Sequence, residues 1–453
     1  MTCVLTAAPI PHKHMSIHKL GIYPIAAFLI ISILALSGSV SFATLNSVGI
    51  VMIIGLLVMQ FRLDYRHPAV VFAAPWAVIL ALASVDLSLF ARPLSLTTSY
   101  MLLAGVFLAF FTASLRMTPP RQDDASACPT TLVSTGRLHN CVMAGLAGFI
   151  ALSALQIAIS GYVPLIRGVM TGYSYYLTWG LSGVTGFYFA FGNTTATLAF
   201  IAWLLMKRRA YLLITLGIIV FYIMLVSRYN VICILVQCFA VFIVLRRRFR
   251  LTTVAGTVAA LLFLFGLAGE WRSGDIKELA QVRNEYQWVP TAVVWFYSYS
   301  YFSVLNLDNA VTSPETPFYD GSAFTDILPN VLRPEYDHPD FLEIPIFNVA
   351  TAYSPLYIDV GLWGALLIVA VMMGCSAKAF RGASQHPTLC NVGIYAVLYF
   401  AAMISFFISA WGYLPVMFQI PLFVIADRLV STRLRLASLT SAPPQHEPDP
   451  YHA

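Results

Sequence analysis

Apolar residues run along this chain in stretches of about 20, the length a helix needs to cross roughly 30 Å of hydrocarbon. Twelve such stretches fall at residues 20–37, 43–61, 69–90, 98–115, 139–160, 185–206, 211–227, 229–245, 251–269, 353–376, 391–409 and 411–428. They predict an all-α polytopic membrane protein with about 12 transmembrane helices. The longest polar interruption, residues 270–352, separates nine spans over 20–269 from three over 353–430. Residues 1–19 form an N-terminal segment. Residues 431–453 form a tail rich in Pro, Ser and His from Ser438 onward, expected to be disordered.

One segment tests the count. Thr291 to Leu305 is apolar but short, and carries Ser298, Ser300, Ser303 and three tyrosines. A span there would reverse everything after it. The pattern instead predicts a helix lying near the membrane interface, with Pro290 in its first turn.

Charge sets the direction. Basic residues concentrate in cytoplasmic connections. With the N-terminus inside, the inward segments hold clusters such as Lys207-Arg208-Arg209 and Arg246-Arg247-Arg248. The outward segments hold seven of the 26 basic residues: Arg92, Arg167, Arg228, Arg272, Lys277, Arg283 and Arg333. Both termini are then cytoplasmic, and residues 270–352 form a large periplasmic loop of an inner-membrane protein. The N-terminus resembles a signal peptide, with His12, Lys13, His14 and Lys19 before an apolar stretch and Ser41-Phe42-Ala43 after it. It reads as an uncleaved anchor, because its removal would leave the next span without an inward partner.

Composition agrees: 59% of the 453 residues are hydrophobic and 10% charged, with mean hydropathy +0.78, against about 25% charged in soluble domains. The net charge of +6 is not a nucleic-acid signal, and its distribution along the chain says more about orientation than its sum; nucleic acid is not an expected partner. The seven cysteines (Cys3, Cys128, Cys141, Cys233, Cys238, Cys375 and Cys390) show no CxxC spacing, and none lies in the long loop. No tandem repeat, P-loop, DxD or HExxH is present, so neither a cofactor nor a metal is expected. Gly361-Leu362-Trp363-Gly364 reads as a helix-packing element.

Three outward features could carry chemistry. The loop from Glu270 to Ala352 holds twelve carboxylates against four basic residues, and many aromatics, among them Tyr286 and Tyr301. Aromatic faces beside carboxylates and amides suit sugar rings; an aromatic belt at the membrane interface is the plainer reading. The second feature is Ser227-Arg228-Tyr229-Asn230, where two spans meet with almost no loop. The guanidinium of Arg228 matches phosphate oxygens, or merely marks the membrane boundary by snorkelling. The third is Ser160 to Gly183, with Arg167 among tyrosines, either a cradle for a lipid head group or a glycine-bent interfacial loop.

The segment Asn348-Val-Ala-Thr-Ala-Tyr353-Ser-Pro-Leu-Tyr357-Ile-Asp359-Val-Gly361-Leu-Trp-Gly364 re-enters the membrane after the loop. It resembles the stretch at the same place in Wzy-type O-antigen and oligosaccharide repeat-unit polymerases, where an aromatic run leads into Asp-x-Gly-x-x-Gly. Ser227-Arg228 resembles that family's Ser-Arg element, and Tyr297 to Asn306 its loop helix. The second-loop arginine pattern is not clean, so the resemblance gives Arg167 no defined role.

The resemblance implies a fold related to the GT-C glycosyltransferases. It implies a polymerase of undecaprenyl-diphosphate-linked oligosaccharide units, working at the periplasmic face in O-antigen, capsule or exopolysaccharide synthesis. The substrate is that lipid-linked oligosaccharide, the surroundings are the lipid bilayer, and a chain-length regulator is the protein partner to test for. An acceptor hydroxyl would attack the anomeric carbon and undecaprenyl diphosphate would leave. Arg228 is the expected stabiliser of the leaving diphosphate, with Arg272 or Arg283 as a second contact. Arg167, Tyr229, Asn230, Tyr286, Tyr301, Asn306, Asp308, His338, Asn348, Tyr353, Tyr357 and Asp359 are the expected substrate-binding set. Asp308, Asp337 and His338 are the candidate bases, and Asp359 is expected to hydrogen-bond structurally at a helix start.

Two rivals stand beside this reading. An O-antigen ligase shares the architecture and uses a periplasmic histidine, for which His338 is the sole outward candidate. A lipid-linked oligosaccharide flippase also fits twelve spans, but ionisable residues inside the spans are few, such as Asp86.

Overall fold

The computed structural model describes residues 2–5, 17–36, 41–60, 63–115, 131–171, 178–245, 274–345 and 347–430, with Gly256, Gly266 and Gly269. Its helices are α1 (Ile17–Leu36), α2 (Phe42–Gly55, continued by a π turn Leu56–Gln60), α3 (Pro68–Leu82), α4 (Leu96–Leu115), α5 (Thr135–Ser160), α6 (Pro164–Thr171), α7 (Thr185–Met206), α8 (Arg209–Met224), α9 (Arg228–Leu245), α10 (Thr291–Thr312), α11 (Tyr353–Gln385), α12 (Leu389–Met403) and α13 (Gln419–Val430). Short helical turns lie at Ile276–Leu279, Ser322–Ile327, Asn330–Leu332, Ala410–Gly412 and Leu414–Met417. The helical expectation holds, apart from one antiparallel ladder of β1 (Thr2–Leu5) with β2 (Thr131–Ser134), in which Thr2 faces Ser134.

Among the described residues, five helical stretches are long and apolar enough to cross a membrane: Leu96–Leu115, Thr135–Thr171, Thr185–Met206, Arg228–Leu245 and Tyr353–Gln385. Five shorter apolar helices accompany them: Tyr23–Ala35, Ala43–Met59, Pro68–Leu82, Arg209–Met224 and Leu389–Met403. Each falls on a span read from the pattern. The expected span 251–269 and the tail 431–453 lie outside the described residues, save Gly256, Gly266 and Gly269. The expected span 411–428 is not one helix. Its first part is the Ala410–Gly412 and Leu414–Met417 turns, and α13 has 12 residues. Pro415 and Pro421 explain the break, since proline is tolerated in a first helical turn but not inside a helix.

Connections alternate between two ends of the bundle. One end, called the cap end below, gathers residues 83–95, 161–171, 178–184, 225–227, 274–345, 347–352 and 404–413. Ser88 Oγ donates to Ala280 O at 2.6 Å, Ala352 N to Ser405 O at 2.7 Å, and Tyr229 meets Tyr413 edge-on at 5.3 Å. The far end holds the turn before α3, the β ladder, and the α7–α8 and α11–α12 turns; there His139 bonds Tyr211 at 2.9 Å. Among the described residues the far end carries two carboxylates, Asp64 and Asp427, and the cap end all the others. Basic residues divide in the opposite sense, with Arg66, Arg137, Lys207, Arg208, Arg209, Lys378, Arg381 and Arg428 at the far end.

Helix α7 is central, with 72% of its membrane window buried, whereas α5 is peripheral at 22%. Lipid tails are as apolar as leucine, so this packing rests on close fit and hydrogen bonds. A buried polar chain joins α7, α9 and α13. Thr197 Oγ1 donates to Gln237 Oε1 at 2.9 Å, and Gln237 Nε2 to Gln419 Oε1 at 2.9 Å. Asn193 Nδ2 donates to Asn230 Oδ1 at 3.0 Å.

Helix α10 is longer than the expected Thr291–Leu305 element. It spans 22 residues, about 33 Å at 1.5 Å per residue, with Pro290 as its N-cap. It is buried along most of its length and lies across the α3–α4 connection. Tyr297 Oη donates to Val85 O at 3.0 Å and Tyr301 Oη to Arg92 O at 2.8 Å. Protein thus covers the faces that the sequence pattern assigned to a membrane interface.

Helix α11 bends at Gly361, where φ is 68° and ψ −173°. Gly361 therefore serves a kink rather than simple helix packing. A Cβ there would sit 3.2 Å from Pro317, so glycine both adopts the conformation and admits the 316–319 chain.

Candidate functional site

The second half of α10 organises the cap. Asp308 is fully buried, and donors occupy both its oxygens. Oδ2 takes Arg92 Nη1 at 2.6 Å, and Oδ1 takes Ser95 N at 2.9 Å and Thr98 Oγ1 at 2.8 Å. Arg92 also reaches Asn309 Oδ1, and Glu343 at 3.6 Å. Asn306 binds backbone on all sides: Nδ2 donates to Phe347 O at 3.0 Å and Val349 O at 2.7 Å, and Oδ1 accepts Glu343 N at 2.7 Å. Tyr301, Asn306 and Asp308 thus clamp the 85–98 and 343–349 segments onto α10. Asn348, within the clamped segment, is exposed.

The start of α11 faces this clamp. Tyr357 Oη donates to Val311 O at 3.3 Å. Tyr353 is buried edge-on against Trp76 at 5.4 Å, its hydroxyl seated where Gly105 leaves room on α4. Asp359 is 1% exposed and accepts Gly321 N at 2.8 Å and Ala323 N at 3.4 Å, while its carbonyl accepts Tyr319 N at 2.8 Å. Through these bonds it holds the 319–323 turn.

That turn presents a dyad. His338 Nε2 lies 2.6 Å from Asp320 Oδ2. The imidazole stacks on Phe318, with centroids 4.2 Å apart and planes 8° from parallel, and sits beside Tyr336 at 5.3 Å. Burial alone would raise the Asp320 carboxyl. The bonds from the Ser322 hydroxyl and backbone N–H and from His338 outweigh it and hold the group below the usual carboxylate range. Asp337 is exposed beside the dyad.

Arg228 opens α9, half-buried, two residues after Val226, which takes a left-handed φ of 58°. That conformation is unusual for a β-branched residue. It lets the chain turn from α8 into α9 within three residues, Leu225, Val226 and Ser227. Asn230 locks the elbow, donating to Ser227 Oγ at 2.7 Å while accepting from Asn193. Tyr229 packs edge-on against Phe400 at 5.4 Å as well as Tyr413. Residues 404–413 connect this elbow to the α10–α11 clamp, since Ser405 bonds both Ala352 N and Trp76 Nε1, the latter at 3.0 Å.

The remaining expected residues stand apart. Arg283 bonds the α3–α4 connection, through its backbone N to Leu87 O at 3.0 Å and Nε to Ser88 O at 3.4 Å. Tyr286 lies half-buried in the same small unit. Arg167 is exposed on α6, over the Tyr162 ring at 4.5 Å. Arg272 lies outside the described residues. Sequence reasoning missed Arg92, Asn309, Glu343 and Asp320. Arg92 carried one available signal, as a basic residue in a short outward turn before Pro93.

Together these features define a polytopic helical membrane protein with an acidic, aromatic cap closed over one end of its bundle. No family model matches the chain, nor does any curated protein or solved structure.

Proposed function

We propose that this protein polymerises undecaprenyl-diphosphate-linked oligosaccharide repeat units at the periplasmic face of the inner membrane, on a scaffold of GT-C type. The observation that carries the reading is the elbow at Arg228. A guanidinium begins an 18-residue helix at the cap end, so its charge adds to the positive end of the helix dipole, a combination suited to a diphosphate. An acceptor hydroxyl attacks the donor's anomeric carbon and the bond to the diphosphate breaks. The leaving group takes the electron pair, and the hydroxyl proton passes to a base or water. Arg228 stabilises the charge as it develops, worth about 3 kcal/mol for one well-placed donor. Tyr229 and Asn230 hold the elbow, and the cap's exposed carboxylates and aromatics meet the glycan.

The test is the surface polysaccharide of a deletion strain carrying wild-type or Arg228→Ala protein at equal level. The expected result is a long-chain ladder for wild type and a single retained repeat for the variant. A normal ladder from Arg228→Ala refutes the assignment.

The His338–Asp320 dyad favours a second reading, an O-antigen ligase. An aspartate fixing one imidazole nitrogen is a familiar arrangement for proton transfer by the other. The deletion strain separates the two: loss of a ligase leaves no repeat on the lipid core, whereas loss of a polymerase leaves one.

A further inference from the structure

Helix α6 and the turn at 326–333 carry apolar side chains that are exposed among the described residues. On α6, Ile166, Val169 and Met170 are 52%, 68% and 80% exposed. At the turn, Val331 and Leu332 are 67% and 65% exposed. Arg333 staples that turn: Nε donates to Leu328 O at 3.1 Å, Nη2 to Asp326 O at 3.1 Å, and Nη1 pairs with Asp326 at 2.8 Å. The two elements adjoin. Val331 packs on Gly183, and Trp179 Nε1 bonds Tyr162 O at 3.2 Å, just before α6.

We infer that α6 and the 326–333 turn form a rim seated in the head-group layer at the cap end, with Arg167 facing the phosphates of anionic phospholipids. Continuity identifies the occupant. Helices α5 and α8 turn exposed apolar residues outward along their length, from Met143 to Ile159 and from Leu213 to Ile223. The first row runs on through the left-handed Gly161 into α6, which packs on α8. The apolar face of α6 therefore extends a lipid-facing surface rather than starting a separate one. Its chemistry also suits the boundary layer. An interfacial helix buries apolar side chains shallowly and keeps basic groups at head-group level. Tyr162 supports the Arg167 guanidinium from below, the arrangement of an interfacial aromatic under a snorkelling cation. The inference needs only that the bundle spans a bilayer. It is independent of the proposed reaction, and failure of one leaves the other standing.

A photo-crosslinking phenylalanine analogue placed at Met170, Leu332 or the exposed Asp337 tests this in the full chain. Each variant is reconstituted in vesicles of phosphatidylethanolamine and phosphatidylglycerol, irradiated, and weighed intact. Positions 170 and 332 are expected to gain the mass of one phospholipid, and position 337 none. Absence of a lipid adduct at either rim position, or an adduct to another protein there, overturns the inference. In the 170 variant, Arg167→Gln should lower the phosphatidylglycerol adduct about fivefold, the effect of about one basic group near an anionic surface. Arg167→Lys should retain it. Equal adducts in all three backgrounds refute the role of Arg167.

Discussion

Arg92 and Asp308 meet at 2.6 Å across 216 residues of sequence, and the pair joins the α3–α4 connection to α10. The carboxylate is fully buried while the guanidinium is 39% exposed, so solvent screens one side only. Removing Arg92 leaves a buried charge with two neutral donors. Arg92→Ala is expected to cost about 2–3 kcal/mol, below the range for a wholly buried pair. Asp308→Asn should cost less, because an amide keeps two of the acceptor contacts. Denaturant unfolding in detergent measures both, and a double-mutant cycle isolates their coupling.

Val226 holds its left-handed conformation against its own side chain. Val226→Gly removes that strain and should raise stability by up to about 1 kcal/mol. It also loosens the start of α9, so polymer yield should fall while the protein becomes more heat-resistant. A Tm measurement beside a ladder gel checks both signs; a variant both less stable and fully active contradicts the account.

Gly361→Ala brings a Cβ to 3.2 Å from Pro317 in a backbone conformation that alanine avoids. The expected cost is about 1–2 kcal/mol, borne by the 316–323 turn. Faster protease cleavage in that turn, with the bundle intact, is the readout.

The Asp320 carboxyl is held below its ordinary value, so its stabilising contribution is complete above that value and fades as pH falls through the lowered one. The cap should therefore keep its protease resistance at about pH 5 and lose part of it only below the ordinary carboxylate range. Asp320→Asn should abolish that step. The group is 28% exposed, so the effect is at most about 1 kcal/mol.

Gln237→Leu removes the bonds that Gln237 makes to Thr197 Oγ1 and Gln419 Oε1, while Gln419 Nε2 keeps its bond to Pro415 O. Hydrogen bonds between membrane helices average about 0.6 kcal/mol, so a loss of about 1 kcal/mol is expected for the two broken here. Steric trapping or thermal unfolding in detergent measures it.

Apolar helices fall where ten of the expected spans were read, because membrane helices advertise themselves by apolar length alone, a property each segment carries in itself. The 411–428 segment defeated that reading because it is apolar enough, while its prolines and Gly412 decide its geometry. The chemistry of the cap was half legible. Asp359, Asn306 and Tyr301 stood out as polar or aromatic residues in the right place, and Arg228 as a charge at a helix junction. Their partners did not stand out, since Arg92 meets Asp308 and Asp320 meets His338 only through tertiary folding. Asp308, expected to handle substrate or a proton, spends both oxygens on the fold. Nothing in the sequence distinguishes an aspartate already occupied from one still available.

The ladder between residues 2–5 and 131–134 has a consequence for biogenesis. It can zip shut only after the second strand has left the ribosome, by which time four helices have been synthesised. Closing it ties both ends of that stretch into a ring on one side of the bilayer. A first helix threaded backwards would leave the two strands facing different compartments, so the ladder can close only when both lie on the same side.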